Sequence, residues 1–207
     1  MDLATLIPAF TALFVIVDPI GLTPIFIALT QDMTPAQRRR VGIRAVAVAA
    51  GLMFVFLLAG EAVLAFLGIS MPAFRVAGGV LLFLTALEML FQKRQARRAS
   101  NADEGSEPDH DPSVFPLALP LIVGPGAITT VILLTGEAAG PAEVAAIGGV
   151  VVAILAIVLV AFLSAGLIAR ALGRVGINVV TRVLGMLLAA LAVQFIIDGL
   201  RSSGLGG

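Results

Sequence analysis

Long apolar stretches separated by short polar breaks run the length of this chain. The hydrocarbon core of a bilayer, about 30 Å thick, takes roughly 20 apolar residues of helix. Six stretches reach that length, at about 3–29, 41–67, 69–91, 114–135, 144–168 and 177–200. Only Gly68 separates the second from the third, which predicts a tight turn there. The pattern predicts an all-α integral membrane protein with six transmembrane helices. The first stretch reads as a retained span rather than a leader. Met1-Asp2-Leu3-Ala4-Thr5 has no basic lead-in, and the apolar run outlasts the roughly 7–15 residues of a signal peptide.

Composition narrows the class further. Of 207 residues, 59% are apolar and 13% charged, whereas soluble domains carry about 25% charged residues to cover their cores. Thirteen Lys and Arg balance thirteen Asp and Glu, so no basic field speaks for nucleic acid as a partner. With no Cys, and one His at position 110 in a polar stretch, the chain offers no thiol nucleophile and no zinc cluster. An enzyme, a resident metal and a cofactor are therefore not expected. Membrane lipid is the expected solvent for most of the surface.

Basic residues are retained on the cytoplasmic side of a membrane. Arg38, Arg39, Arg40 and Arg44 mark the first polar break, Lys93, Arg94, Arg97 and Arg98 the third, and Arg170, Arg174 and Arg182 the fifth. Only Arg75 and Arg201 fall on the other side, which predicts that both termini face out of the cytoplasm. The stretch 92–113, QKRQARRASNADEGSEPDHDPS, runs from a basic block into an acidic one. It has little apolar area to bury and predicts a flexible cytoplasmic linker between 1–91 and 114–207.

The two flanking halves resemble each other. Arg75-Val76-Ala77-Gly78 matches Arg182-Val183-Leu184-Gly185 at an offset of 107, and Asp18-Pro19-Ile20-Gly21 lies over Gly124-Pro125-Gly126 at an offset of 106. Three spans carry a chain to the opposite side, so two such repeats are inverted with respect to each other. That architecture belongs to many secondary transporters, whose sites lie between the repeats near the membrane midplane.

Each half opens with a stretch that is not expected to stay helical throughout. Pro19, Gly21 and Pro24 interrupt the first helix, and Pro116, Pro120 and Gly124-Pro125-Gly126 the fourth. Proline removes a backbone donor and clashes with the carbonyl four residues earlier. At membrane depth the freed backbone groups are tolerated where they line a cavity. Breaks in helices 1 and 4 near mid-membrane would expose two half-helix N-termini, with Thr23, Thr129 and Thr130 in their first turns, and such ends favour an anion. Asp18 is the only acid of thirteen expected near the bilayer centre. It can cap the half-helix that follows it, receive an ammonium group, or carry a coupling proton. Gly124 replaces it in the second repeat, so the two breaks are not chemically equal.

The remaining polar positions are weaker indicators. Arg75, Arg182, Glu88 and Asp198 are expected to snorkel toward the interfaces. Gln194 should be embedded in the sixth segment, where it bonds either a neighbouring helix or a solute.

DPIGLTPIF at 18–26, PLALPLIVGPGAITT at 116–130 and AGGVLLFLTALEM at 77–89 resemble the MarC family of bacterial inner-membrane proteins, over the whole chain except the linker. The resemblance implies a carrier of small neutral amino acids, glycine and alanine, coupled to protons or sodium. The site residues would be Asp18, Gly21, Thr23, Gly124, Gly126, Thr129, Thr130 and Gln194. The half-helix ends at Gly21 and Gly126 would take the substrate carboxylate. Asp18, or unwound carbonyls near Val17 and Val123, would take its ammonium group. A passive channel for small solutes and a membrane scaffold without transport are the competing classes. Half-helices also line pores, and saturable, gradient-driven counterflow separates a carrier from either.

Overall fold

In the computed structural model, residues 3–91 and 111–204 are described, so most of the predicted linker, residues 92–110, lies outside the described residues. Among the described residues every regular element is a helix: α1 (Leu3–Val17), α2 (Pro19–Leu29), α3 (Pro35–Phe66), α4 (Met71–Leu90), α5 (Ser113–Ile122), α6 (Pro125–Gly136), α7 (Pro141–Leu163) and α8 (Ala165–Ser202). Five spans are long and apolar enough to cross a membrane, α1 and α2 together forming one, and α5 with α6 makes a sixth if the bent pair counts as one span.

Local chemistry explains where these helices begin. Proline stands in the first turn of α2, α3, α4, α6 and α7, where its missing N–H would have had no helical partner. At the head of α3, Thr34 accepts from the Gln37 N–H at 3.3 Å while the Gln37 side chain accepts from the Thr34 N–H at 2.9 Å. This capping box starts the helix at Pro35, ahead of the apolar run at 41, and carries Arg38, Arg39 and Arg40 onto it. Ser70 caps α4 by accepting from the Ala73 N–H at 3.4 Å.

The predicted break at 169–176, between the fifth and sixth segments, is a kink rather than an open loop: two helical stretches of α8 meet at Gly173, whose backbone is not helical, with φ 59°. Glycine takes up the change of direction in the left-handed region.

Packing runs mainly across the two halves. α1 and α2 lie against α7 and α8, α5 and α6 against α3 and α4, α3 against α7, and α4 along α8. The α4–α8 pair is antiparallel and close. Small residues a heptad apart, Gly79 and Ala86 on one helix and Gly185, Ala192 and Gly199 on the other, face each other. A methyl group at Gly79 would come within 2.8 Å of the Ala192 carbonyl oxygen, so the backbones sit nearer than larger side chains permit. Between α2 and α7, Phe26 and Phe162 are fully buried and stack with centroids 4.3 Å apart and planes 3° from parallel.

Candidate functional site

Asp18 separates α1 from α2. Its N–H still bonds the Phe14 carbonyl at 2.9 Å and its carbonyl accepts from the Leu22 N–H at 3.1 Å. Its own backbone, however, turns left-handed at φ 55°, ψ 66°. Among the described residues it is the sole non-glycine with positive φ, a conformation that aspartate tolerates better than most residues because its short side chain bonds locally. That bond is present: Asp18 Oδ1 accepts from the Gly21 N–H at 3.0 Å. The carboxylate thus takes the donor that a continuous helix would have given to the Val17 carbonyl. Asp18, Thr23 and Phe26 are fully buried, so this cap lies in the protein interior.

The second break is built differently. α5 is a wide, π-type helix with extended residues inside it at Phe115 and Leu119, the residues preceding Pro116 and Pro120, as the preference before proline predicts. α5 meets α6 at an angle of 58°. Gly124 stands at the N-cap of α6 with φ −84°, ψ 171°, and no side chain caps this helix. The N-terminus of α2 is therefore capped by a buried carboxyl group of the preceding residue, whereas the N-cap residue of α6, Gly124, has no side chain to do the same.

The two breaks are neighbours. A Cβ on Gly126 would lie 3.3 Å from Ile16 Cγ2 and 3.1 Å from Leu82 Cδ2, which sets the start of α6 against the end of α1. Gly21, Gly126, Thr23, Thr129 and Thr130 are all buried, Gly124 is half-buried, and Pro125 is exposed. The threonines differ in what they do. Thr23 donates to the Pro19 carbonyl at 3.1 Å, the usual back-bond of a helical threonine. Thr129 turns its methyl toward Gly78 on α4. The Thr130 hydroxyl is buried and has no hydrogen-bond partner among the described residues. An unmet hydroxyl costs about 1–3 kcal/mol, a cost that an incoming polar group would relieve.

Gln194 does not join this group. It is exposed on α8 and donates to the Asp198 carboxylate at 2.9 and 3.0 Å, one turn along the same helix. The bond runs within its own helix, not to a neighbouring helix. Arg75 has a partner: its side chain, only 16% exposed, pairs with Glu137 at the end of α6. Ile16 and Leu82, which crowd Gly126, had no signal in the sequence beyond being apolar. An apolar groove of about 830 Å³ between α3 and α7, lined by residues such as Phe54, Leu57 and Val152, includes none of the predicted site residues. Among the described residues no cluster of acids or histidines has the makings of a metal site.

The fold defines a multi-pass helical membrane protein. The family model described as MarC family integral membrane protein matches residues 3–203, and the chain belongs to that family. It is similar to a UPF0056 membrane protein of Methanocaldococcus jannaschii, 37% identical over 98% of this chain and 99% of that one. A UPF0056 membrane protein of Archaeoglobus fulgidus is 37% identical over 93% of this chain and 90% of its own. The UPF0056 inner membrane protein YhgN of Escherichia coli is 34% identical over 95% of this chain and 96% of its own. No solved structure matches the chain.

Proposed function

We propose that this protein is a secondary transporter of small neutral amino acids, glycine and alanine, working by alternating access between two inverted repeats and coupled to protons or sodium. The observation that carries the reading is the unlike treatment of two adjacent half-helix ends. α2 starts at the buried carboxyl group of Asp18, whereas Gly124 at the N-cap of α6 has no side chain to cap it. A zwitterion has the complementary polarity. Its carboxylate meets the N–H groups following Gly124 and the Thr130 hydroxyl, and its ammonium group faces Asp18. The crowding of Gly126 by Ile16 and Leu82 favours a substrate with little or no side chain.

Cross-half packing supports the repeat. Each broken segment lies on the second and third segments of the other half, the exchange expected when two inverted units interlock. Complete burial of Asp18, Thr23 and Thr130 suits a carrier, whose site is never open to both sides at once, better than a standing pore. With both termini on the periplasmic side, the half-helices α2 and α6 would run from the interior toward opposite faces.

The test is flux of radiolabelled glycine and alanine into liposomes holding the purified protein, with and without an imposed pH or sodium gradient. The reading requires saturable flux that follows one gradient and falls in Asp18→Asn at equal protein. Flux no greater than in empty liposomes, from folded protein, would remove it.

A further inference from the structure

The Arg75–Glu137 pair joins the halves at a point that bears on the site. Arg75 lies in the second turn of α4, and Glu137 is the C-cap of α6. α6 is the helix whose other end forms the second break, about 18 Å away along its axis. Two further contacts close the same seam. A side chain on Gly136 would run into Met71, and one on Gly78 into the Thr129 methyl group. Leu133, 1% exposed, sits between them, with its Cδ1 3.4 Å from where a Cβ on Gly78 would stand. One seam between α4 and α6 is thus sealed from the break outward and latched at its rim by an ion pair.

The internal repeat places a second set of the same charges at the opposite end of the molecule. The offset of 107 turns Arg75 into Arg182 on α8, and the offset of 106 turns Glu137 into Gln31, with Asp32 one residue on, just past the end of α2. α2 packs on α8 as α6 packs on α4. Yet Arg182 and Asp32 are both exposed and form no ion pair among the described residues.

We propose that Arg75–Glu137 latches one mouth of the substrate pathway and that Arg182 and Asp32 are the counterpart latch of the other mouth, each closing when its opposite is open. This rests on the carrier reading above and adds to it the residues that bias one state over the other. An ion pair across a moving seam contributes in only one of two conformations, which is the condition for shifting their populations.

The chain contains no cysteine, so single reporters are clean. Leu133→Cys reports on the α4–α6 seam and Ile27→Cys, its repeat equivalent, on the α2–α8 seam. The readout is the rate of labelling by a membrane-impermeant maleimide, applied from either face of proteoliposomes containing the full chain. Arg75→Gln or Glu137→Gln should raise labelling at position 133 by about tenfold, a factor within the usual range of coupling between sites, and lower it at position 27. The charge exchange Arg75→Glu with Glu137→Arg should restore both rates. Asp32→Asn should leave position 133 protected. Unchanged labelling at 133 in folded Arg75→Gln protein overturns the latch, and a rise at 133 with no fall at 27 overturns the alternation. No substrate enters the measurement, so flux that fails with labelling as expected would remove the amino acid and leave the latch.

Discussion

The carboxylate of Asp18 occupies the space that a side chain at residue 21 would need, and it does so while bonding the Gly21 N–H at 3.0 Å. Cap and glycine are therefore one unit: Asp18 fits because residue 21 has no Cβ. Gly21→Ala should displace the carboxylate, with a loss of stability of about 1–2 kcal/mol, the usual worth of an N-cap, and a loss of glycine flux beyond any drop in protein level. Thermal melting in detergent and flux at matched protein measure the two separately. Wild-type behaviour in both would mean that the carboxylate is free to move aside.

Thr130 offers the opposite kind of prediction, in which function falls without stability. Its hydroxyl is buried and has no partner among the described residues. Thr130→Val replaces that hydroxyl by a methyl group of similar shape and removes an unmet polar group, so melting should stay level or rise by up to about 1 kcal/mol. Substrate affinity should weaken by about tenfold, the value of one hydrogen bond to a charged group. Thr23→Val, at a hydroxyl already bonded to the Pro19 carbonyl, should change affinity much less. Equal effects at the two positions would take Thr130 out of the site.

Much of this arrangement can be read from the sequence, and the part that cannot has a physical cause. The break before α2 follows from Pro19, and the extended residues of α5 and the start of α6 from Pro116, Pro120 and Pro125, because proline acts on its own backbone; Pro24, expected to interrupt the first segment, stays inside α2. Asp before Pro likewise announces a cap. The position of Gln194 is another matter, since it depends on which face of α8 turns inward. Gly185, Ala192 and Gly199 fix that face against α4, and a residue two places from Ala192 points about 200° round the helix, away from the interior. The ion pair of Arg75 depends on where the end of α6 lands in space, which no local pattern encodes.

Gly126 should set the size limit of the substrate. A Cβ there would stand 3.1 Å from Leu82 Cδ2 and 3.3 Å from Ile16 Cγ2, tight enough to require those side chains to shift slightly. In Gly126→Ala the space beside the break shrinks by one methyl group, so alanine flux should fall by roughly tenfold relative to glycine flux, at the low end of what a methyl group is worth in a tight pocket. Competition between labelled glycine and unlabelled alanine gives the ratio directly. An unchanged ratio would separate Gly126 from the substrate side chain.

Asp111, just before α5, ties the chain to Arg44 on α3. Burial pushes its carboxyl up, but contacts to Ser113 and Arg44 outweigh this and hold it below the ordinary value of 3.8. A folded value below the unfolded one means that the contribution is fully present above the unfolded value and is lost as pH falls through the folded one. With side-chain exposures of 59% and 39%, the pair belongs to the solvent-screened class worth about 0.2–1 kcal/mol. Asp111→Asn should therefore melt slightly below the parent protein at pH 7, and the gap should close as pH drops below about 3.8. One molar salt at pH 7 should also narrow it, because the Debye length there is about 3 Å. A gap that stayed constant across this range, or widened in acid, would show that the charge of Asp111 does not stabilise the fold.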